Sequence, residues 1–517
     1  MRPTFLGFET AKSAIYTSQK TLDVTGNNLA NVNTNGYTRQ RVDTAAIAST
    51  AGRSRVNSGR VAMAGQGVEA LGVSQMRDSL LDKRFRDEYT KTSYHSQAAA
   101  ILDDLQSALG DGSDITDQSG LYGAFAQIYT TINDYAQEPT LDAQANLVMS
   151  AFKNMGQVLN QLARKLDGVY EQQTFDMNVD VDRVNDIAAQ IAALNRQIAG
   201  DATVQLDPNN QHYRPNELLD KRNLLLDELA GFGDIRVREQ ADGAIQVDLA
   251  GHALVAGQNY STMGMKINDD KTVSLTWRDT GENVQLSGGA LLADIEYING
   301  WGANMQGGAA TVQQGIPYYR DRLDTLAGSL VQVVNHIIPQ RDAATGQPQV
   351  DANGNTLYKT LLGGRMPDGS IRANGPITAE NICLSEEWTQ GGAGYFIYNK
   401  EANEPGYAQQ IATALTGSDC KFQSYGESFT GSFEEYVTDY LTKLGADLDF
   451  QEGRAKSTAK VADDFLVRRD EISGVSRDEE TANMLTYQKS YEAAARLLTT
   501  LDEILDVLIN RTGRVGL

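Results

Sequence analysis

The chain has 517 residues, of which 41% are hydrophobic, and a formal net charge of -22. Because a single hydrophobic core rarely serves more than about 250 residues, several domains are expected. The negative charge, with no local run of Lys and Arg that would reverse it, argues against nucleic acid and anionic membranes as partners.

No stretch approaches the roughly 18 consecutive apolar residues of a membrane span, and the start, MRPTFLGFETAKSAIY, lacks the apolar centre of a cleavable signal peptide. The composition therefore predicts a cytoplasmic protein without a membrane span. Cys383 and Cys420 are the only cysteines, too few for a disulfide framework. We favour two buried free thiols, and whether they pair stays open.

An amphipathic helix is predicted at the N-terminus, because residues of one face recur at spacings of three and four. That face, with two polar members, consists of Phe8, Ala11, Ile15, Ser18, Leu22, Thr25, Leu29 and Val32. The helix should end at Asn35-Gly36, where left-handed backbone conformations are available. Residues 37–74 have no helical period and are expected to form strands and loops.

A rod of packed helices is predicted from residue 75 to about residue 199, where apolar residues recur at helical spacing. A further helix, NELLDKRNLLLDELAGF, leads into a β-hairpin around Asp242-Gly243. Strands are expected at VSLTWRD and VQLSG, followed by a helix from about Tyr318 to Ile338. The next 90 residues or so are irregular, rich in glycine and hard to assign to particular elements.

Helical patterning resumes at Phe433 and continues to about Arg469. The final helix is predicted from Ser476 to Arg511, since Ser476 and Glu479 have the spacing of a capping box. Its apolar face repeats without a break and consists of Met484, Tyr487, Tyr491, Ala494, Leu498, Leu501, Leu505 and Leu508. We call the eight-residue faces of the first and last helices the seam.

Together these elements predict a multidomain α+β fold, with long helical terminal arms and a helical rod made from paired N- and C-terminal segments around a β-rich centre. Residues 1–75 and 471–517 would form coiled-coil assembly arms with a β/loop segment, and 76–200 and 431–470 the rod. Residues 201–340 would form a mixed, β-rich domain, and 341–430 a variable accessory insertion. The small and polar seam residues predict a marginal pair of arms, stabilised either by neighbouring copies or as an ordinary intramolecular hairpin.

The sequence offers no chemistry that would favour an enzyme, a cofactor site or a metal site. No stretch fits a phosphate-binding loop. The alternation of Asp351, Asn353 and Asn355 resembles the start of a calcium loop, but Thr356 and Leu362 occupy the positions that need Gly and Glu. We therefore predict no catalytic residue, no cofactor and no metal ligand.

The segment TGNNLANVNTNGYTRQ resembles the N-terminal signature of axial flagellar proteins. The residues that carry this resemblance are Asn27, Asn28, Asn31, Thr34, Gly36 and Tyr37. The ending GYTRQ, the block from NELLDKRN to GHALV and the C-terminal segment SGVSRDEETANMLTYQKSYEAAARLLTTLDEILDVLIN are similar to the hook-associated protein 1 family, of the FlgK type. Whether the asparagines cap a turn locally or link neighbouring chains stays open.

That resemblance implies a structural adaptor at the hook-filament junction of the bacterial flagellum, polymerising through its terminal helices. The implied partners are further copies of itself, the hook protein, hook-associated protein 3 and a FlgN-type export chaperone on the C-terminal helix. The resemblance also implies type III export without a cleaved signal and an extracellular location, which replaces the cytoplasmic expectation. Rival interpretations are a hook or distal rod subunit, a cytoplasmic coiled-coil scaffold and a secreted hydrolase on flagellar-type arms.

Overall fold

The computed structural model describes residues 6–47, 67–110, 120–139, 141–201, 215–302, 313–342, 345–396, 406–424 and 427–511. The helices are α1 (Leu6–Ala30), α2 (Ser79–Leu109), α3 (Gly120–Gln137), α4 (Asp142–Gly200), α5 (Asn216–Phe232), α6 (Ala290–Ile298), α7 (Ile316–Asn335), α8 (Glu386–Phe396), α9 (Gly406–Thr416), α10 (Phe433–Ser473) and α11 (Arg477–Asp506). The strands are β1 (Gln40–Ala46), β2 (Val68–Gln75), β3 (Ile235–Glu239), β4 (Ile245–Leu249), β5 (His252–Ala256), β6 (Asn259–Tyr260), β7 (Met263–Ile267), β8 (Val273–Trp277), β9 (Leu362–Arg365), β10 (Ile371–Arg372), β11 (Ile382–Leu384), β12 (Cys420–Gln423) and β13 (Ser428–Gly431). The predicted α+β class with long terminal helices is confirmed.

The terminal arms, α1 and α11, pair side by side in antiparallel directions. Gly7 at the start of α1 faces Leu501, since a Cβ at Gly7 would lie 3.2 Å from that side chain. At the other end of α1, the Asn28 amide reaches Glu480 at 3.1 Å. After Asp506 the last helix continues as a π-helical turn, Val507–Arg511. The helical conformation therefore ends at Arg511 as predicted, although its last turn is π-helical and not α-helical.

The rod is built on α4, a helix of 59 residues that spans about 88 Å at 1.5 Å per residue. Helices α2 and α10 run antiparallel to each other, with His95 2.7 Å from Gln451 and Asp82 3.8 Å from Arg469. Helix α2 also contacts α4, where Gln173 donates to Asp104 at 2.7 Å. Helix α10 starts with a capping box in which Ser432 and Glu435 each accept a hydrogen bond from the other's backbone N–H. Apolar residues at helical spacing face inward, so the rod has a continuous core.

The central β structure is antiparallel throughout. Strands β3 to β6 form one meander, and β7 pairs with β8. The predicted hairpin at Asp242-Gly243 joins β3 to β4, with Gly243 in a left-handed conformation at φ 78°. The predicted strand at VQLSG is wrong, because only an isolated bridge at Asn283 precedes it. Helix α6 was not predicted, since its nine residues are too short and apolar to show a helical face.

Residues 345–396 pack into the rod. Trp388 is fully buried and its ring centroid lies 5.7 Å from Phe152 of α4 and 5.6 Å from Phe396. Phe396 in turn meets Tyr135 of α3 at 5.1 Å. The division of the chain into domains stays a prediction. Trp388 and Phe396, however, are part of the core of the rod and do not lie on an accessory unit outside it.

Cys383 and Cys420 are both free thiols, as favoured from the sequence, and both are partly buried where burial was expected. Burial raises the pKa of each thiol above its ordinary value, which favours the protonated form.

Candidate functional site

The signature residues lie where the two arms meet the rod, a place we call the arm junction. Helix α1 ends at Ala30, and the chain then turns so that the Tyr37 N–H donates to the Thr34 carbonyl at 3.2 Å. Gly36 has φ 78°, and a Cβ there would lie 2.4 Å from Leu224 of α5. Both the left-handed backbone and the close contact therefore require glycine.

Asn28 is the central residue of the arm junction and is 1% exposed. Its amide nitrogen donates to the Gln40 carbonyl at 2.8 Å and to the Glu480 carboxylate at 3.1 Å. Its amide oxygen accepts from the Gln40 N–H at 3.0 Å and from the Tyr37 hydroxyl at 2.8 Å. One side chain thus ties α1, the start of β1 and the start of α11 together, with both donors and both lone pairs used.

The other signature side chains form a row of hydrogen bonds on the outer side of the same turn. Asn27 donates to the Tyr37 hydroxyl at 3.2 Å, and Asn31 donates to the Asn27 amide oxygen at 3.0 Å. Thr34 donates to the Asn31 amide oxygen at 3.1 Å. Each of these bonds joins residues of one molecule and stabilises the turn that ends α1.

Sequence reasoning placed Glu480 as negative charge at the start of the last helix but did not predict the ion pair with Arg39 that closes the arm junction. Glu480 is 2% exposed and accepts from Arg39 at 2.8 Å (Nε) and 2.7 Å (Nη2). Arg39 also pairs at 2.9 Å with Glu479, and the Glu479 side chain is 64% exposed. Both residues stand inside the recognisable segments GYTRQ and SRDEE, but their pairing joins opposite ends of the chain and has no local signal.

A line of alternating charges continues from the arm junction into the rod. Arg77 pairs with Asp82 at 2.6 Å, and Asp82 lies 3.8 Å from Arg469 of α10. Arg469 pairs at 2.7 Å with Asp227 of α5, which also binds Arg86 at 2.7 Å. The three helices that enter the arm junction are thereby held at fixed positions around it.

The electrostatics keep the Tyr37 hydroxyl in its donating form. Burial, followed by the nearby Asp220 and Glu480 carboxylates, raises the pKa of Tyr37 to about 12. The phenol is therefore neutral at physiological pH and can donate its proton to Asn28.

The predicted seam lies between α1 and α11, although unevenly. Ala11 and Ala494 are buried in a single chain at 0% and 8% exposure, while Tyr491 and Leu508 remain exposed. The remaining seam residues that we proposed for assembly are partly buried: Ile15, Leu22, Leu29, Met484, Tyr487, Leu498, Leu501 and Leu505. Sequence reasoning missed Val24, which is 8% exposed.

Helix α11 also carries a second apolar face that points to solvent. Leu497 and Ile504 are 48% and 50% exposed and stand seven residues apart, which places them on one side of the helix, whereas Leu485, 57% exposed, is turned about 100° or more away from both. We call Leu497 and Ile504 the outer stripe. A single chain leaves this surface uncovered.

In the part of the chain that the structure describes, no helix is long and apolar enough to cross a membrane. Within the same residues, no group of three or more His, Cys, Asp or Glu side chains comes together in a way that could hold a metal ion.

Comparisons with known proteins agree along the chain. Residues 102–351 match the family described as flagellar hook-associated protein FlgK helical domain. Residues 8–38 match the flagella basal body rod protein family, and residues 468–511 match the flagellar basal body rod FlgEFG protein C-terminal family. These two matches cover the arms and the arm junction.

Whole-length relatives give the same result. The chain is 27% identical to flagellar hook-associated protein 1 of Bacillus subtilis, over all of both chains. Proteins with that name from Escherichia coli and Salmonella typhimurium are 21% and 23% identical, over 97% of this chain and 98% of theirs. The solved flagellar hook junction protein FlgK from Burkholderia pseudomallei shares the fold, with a TM-score of 0.53 and 12% identity over 77% of this chain and all of that one.

Proposed function

The chain belongs to the FlgK family of flagellar hook-associated proteins, and we propose that it is the structural adaptor of the hook-filament junction, polymerising through its paired terminal helices. The observation that carries this mechanism is the combination of an intramolecular arm pair with an uncovered outer stripe on α11. A helix with apolar residues on two sides can pack against its partner helix with one side and against a neighbouring copy with the other.

The energetics favour ordering of the arms on assembly. Small and polar residues such as Ala11, Thr25 and Ala494 fill much of the buried contact between α1 and α11, so this contact alone contributes little. Covering Leu497 and Ile504, each about half exposed, would add roughly 1 kcal/mol per side chain. Neighbouring copies therefore supply stabilisation that the isolated arm pair lacks.

As a flagellar axial component, the chain assembles with copies of itself and with other flagellar proteins. The specific neighbours that we propose are the hook protein on one side and hook-associated protein 3 on the other. Before assembly, the outer stripe would be covered by a FlgN-type chaperone, and the chain would leave the cell by type III export without a cleaved signal. The proposed role is mechanical and requires no catalytic step.

The outer stripe provides the first test of this proposal. Leu497→Asp together with Ile504→Asp should leave the monomer folded but prevent filament attachment, because charges would face the neighbouring copy. Thr499→Asp together with Thr500→Asp is the matched control, since both threonines are exposed on the same turns of α11. Swimming is measured in cells that lack the native gene, and circular dichroism is recorded on each purified variant. Normal swimming with the outer-stripe variant would contradict the proposed packing.

The seam provides the second test. Leu501→Asp together with Leu505→Asp should separate α1 from α11 as well as block assembly, because Leu501 lies against Gly7. This variant should therefore lose helicity in the arms, which the outer-stripe variant retains. Filament attachment by the Leu501/Leu505 variant would remove the seam from the mechanism.

A further inference from the structure

The dipeptide Asn-Gly, in which an asparagine can lose its side-chain amide spontaneously, occurs four times in the chain. The four pairs are Asn35-Gly36, Asn299-Gly300, Asn353-Gly354 and Asn374-Gly375. In this reaction the backbone nitrogen of the glycine attacks the side-chain carbonyl of the asparagine, and glycine favours the attack because it has no Cβ to hinder it. A pair reacts readily when both reacting groups are exposed and neither is held by a hydrogen bond.

Two of the four pairs are held by hydrogen bonds. The Asn299 side chain accepts from the Val273 N–H and donates to the Val273 carbonyl, both at 2.7 Å. In the other pair, the Gly354 N–H donates to the Asp351 carbonyl at 3.0 Å. A hydrogen-bonded amide has to be released before it can react, so both pairs are protected.

The pair Asn35-Gly36 has no such protection. Asn35 is exposed at the turn that follows α1. Among the described residues, no group forms a hydrogen bond with the Asn35 side chain or with the Gly36 N–H. The turn is closed by the bond from the Tyr37 N–H to the Thr34 carbonyl at 3.2 Å. An exposed turn with one such bond opens at little cost, which lets the Gly36 nitrogen rotate toward the Asn35 side chain.

The pair Asn374-Gly375 has the same properties but lies elsewhere. Asn374 is exposed in the loop between β10 and β11. Within the ranges that the structure describes, its side chain and the Gly375 N–H also form no hydrogen bond. This pair does not belong to the arm junction, so it provides a comparison for the reactivity of the first.

We propose that Asn35 is a site of spontaneous deamidation and that the product loosens the arm junction. The Gly36 nitrogen forms a bond to Cγ of Asn35, and the side-chain amide takes up the Gly36 proton and leaves as ammonia. Water then opens the cyclic imide that results. The product is either aspartate or isoaspartate, in which the main chain runs through the side chain and is one carbon longer. The reaction consumes one water, releases one ammonia and needs no enzyme or oxidant.

The aspartate product adds a negative charge to an acidic side of the arm junction. Asn35 lines a cleft together with Asp470 and Glu471 of the last turn of α10, and both carboxylates are exposed. A carboxylate at this position is repelled by both, but exposure to solvent keeps the repulsion small. We therefore expect only a minor effect from aspartate.

The isoaspartate product has the larger effect, because it lengthens the main chain. The extra carbon displaces Gly36, which fits its place closely, since a Cβ there would lie 2.4 Å from Leu224. Tyr37 follows directly, and its hydroxyl donates to Asn28 at the centre of the arm junction at 2.8 Å. Displacing the turn therefore breaks this hydrogen bond and loosens both arms.

Ageing of the purified full-length chain tests the site. The chain is kept at mildly alkaline pH, which speeds the attack because the glycine nitrogen reacts as its anion. Peptides are then mapped by mass spectrometry with a fragmentation method that distinguishes isoaspartate from aspartate. Asn35 and Asn374 should deamidate about fivefold or more faster than Asn299 and Asn353, since a hydrogen bond has to open first in each protected pair. Equal rates at all four asparagines, or an unchanged Asn35, would overturn the proposal.

Hydrogen exchange on the aged chain tests the consequence. Amides of α1 and α11 should exchange faster than in the fresh chain, in proportion to the isoaspartate formed at Asn35, while exchange in α4 stays the same. Asn35→Gln keeps a neutral amide but reacts far more slowly, because its longer side chain has to form a larger ring. The arms of this variant should not change on ageing. Asn374→Gln is the matched control and should age like the unchanged chain.

Asn35→Asp separates the effect of charge from that of the longer main chain. Its arms should exchange nearly as slowly as those of the fresh chain, and circular dichroism of each fresh variant establishes that it is folded. Loosening by Asn35→Asp as large as that of the aged chain would overturn the role of isoaspartate. Arms that loosen equally in aged Asn35→Gln, or that stay unchanged despite isoaspartate at Asn35, would overturn the link between this residue and the arm junction.

Discussion

Glu480→Gln is expected to loosen the terminal arms while leaving the rod folded. The substitution keeps the size of the side chain and its contact with Asn28 but removes the charge that Arg39 binds. Because Glu480 is 2% exposed, the lost interaction lies in a region from which water is excluded.

The expected size of the effect follows from the burial of the two partners. Removing one partner of a buried ion pair costs about 3 to 5 kcal/mol. The Arg39 side chain is 17% exposed and keeps its second partner, Glu479, so we expect about 2 to 3 kcal/mol here. That corresponds to a roughly 30- to 150-fold larger population of detached arms.

Glu479→Gln is the matched control, because Glu479 binds the same arginine from a side chain that is 64% exposed. Its loss should cost less than about 1 kcal/mol. Hydrogen exchange on the full-length monomer reports α1 and α11 separately from α2, α4 and α10. Equal exchange in the two variants, or faster exchange in the rod, would refute the role of the buried pair at the arm junction.

Three further outcomes are expected. The pKa of Tyr37 is raised to about 12, against about 10 in the unfolded chain, so its contribution to arm stability is complete below about pH 10 and is lost as pH rises toward 12. Tyr37→Phe should therefore flatten the loss of arm stability with rising pH, measured by hydrogen exchange or circular dichroism of the arms. Burial raises the pKa of Asp294 to about 7, so its contribution to stability is complete below about pH 4 and falls as pH rises toward 7. Asp294→Asn should therefore raise the thermal midpoint at pH 8 and reduce the change of that midpoint between pH 4 and 7. An unchanged dependence of the midpoint on pH would contradict this. Trp388→Ala should lower the free energy of unfolding of the rod by about 3 to 5 kcal/mol, whereas Phe450→Ala should lower it by less than about 1 kcal/mol because Phe450 is 59% exposed. Equal thermal midpoints for the two variants would indicate that residues 341–430 form an accessory unit outside the core.

The arms were predictable because their signals are local. The Ser476 side chain accepts from the Glu479 N–H at 3.5 Å, close to the predicted helix start, and Asn35-Gly36 follows the end of α1 by a few residues. Apolar spacing likewise identified α4, α5 and the hairpin at Asp242-Gly243, since each depends on residues within one or two turns. Such patterns are set by backbone geometry and survive without knowledge of the partner surface.

The packing of residues 345–396 could not be predicted in the same way. Trp388 meets Phe152 across more than 200 positions of sequence, and the stretch around it has short strands and many glycines in place of a helical period. Irregular, Gly-rich sequence resembles an exposed insertion whether or not its few large side chains enter a core. The pair of Arg39 and Glu480 was missed for the same reason, because its partners lie at opposite ends of the chain.

The arm junction explains why its asparagines form a readable pattern whereas the seam tolerates alanine, serine and threonine. Asn28 is buried, donates twice and accepts twice, and an aspartate could not donate while a glutamine would place its amide one carbon further away. A buried polar group that loses one partner costs about 1 to 3 kcal/mol, so few side chains satisfy this position. A partly buried apolar seam needs only approximate size. The most specific sequence therefore lies where hydrogen-bond geometry joins the two ends of the chain.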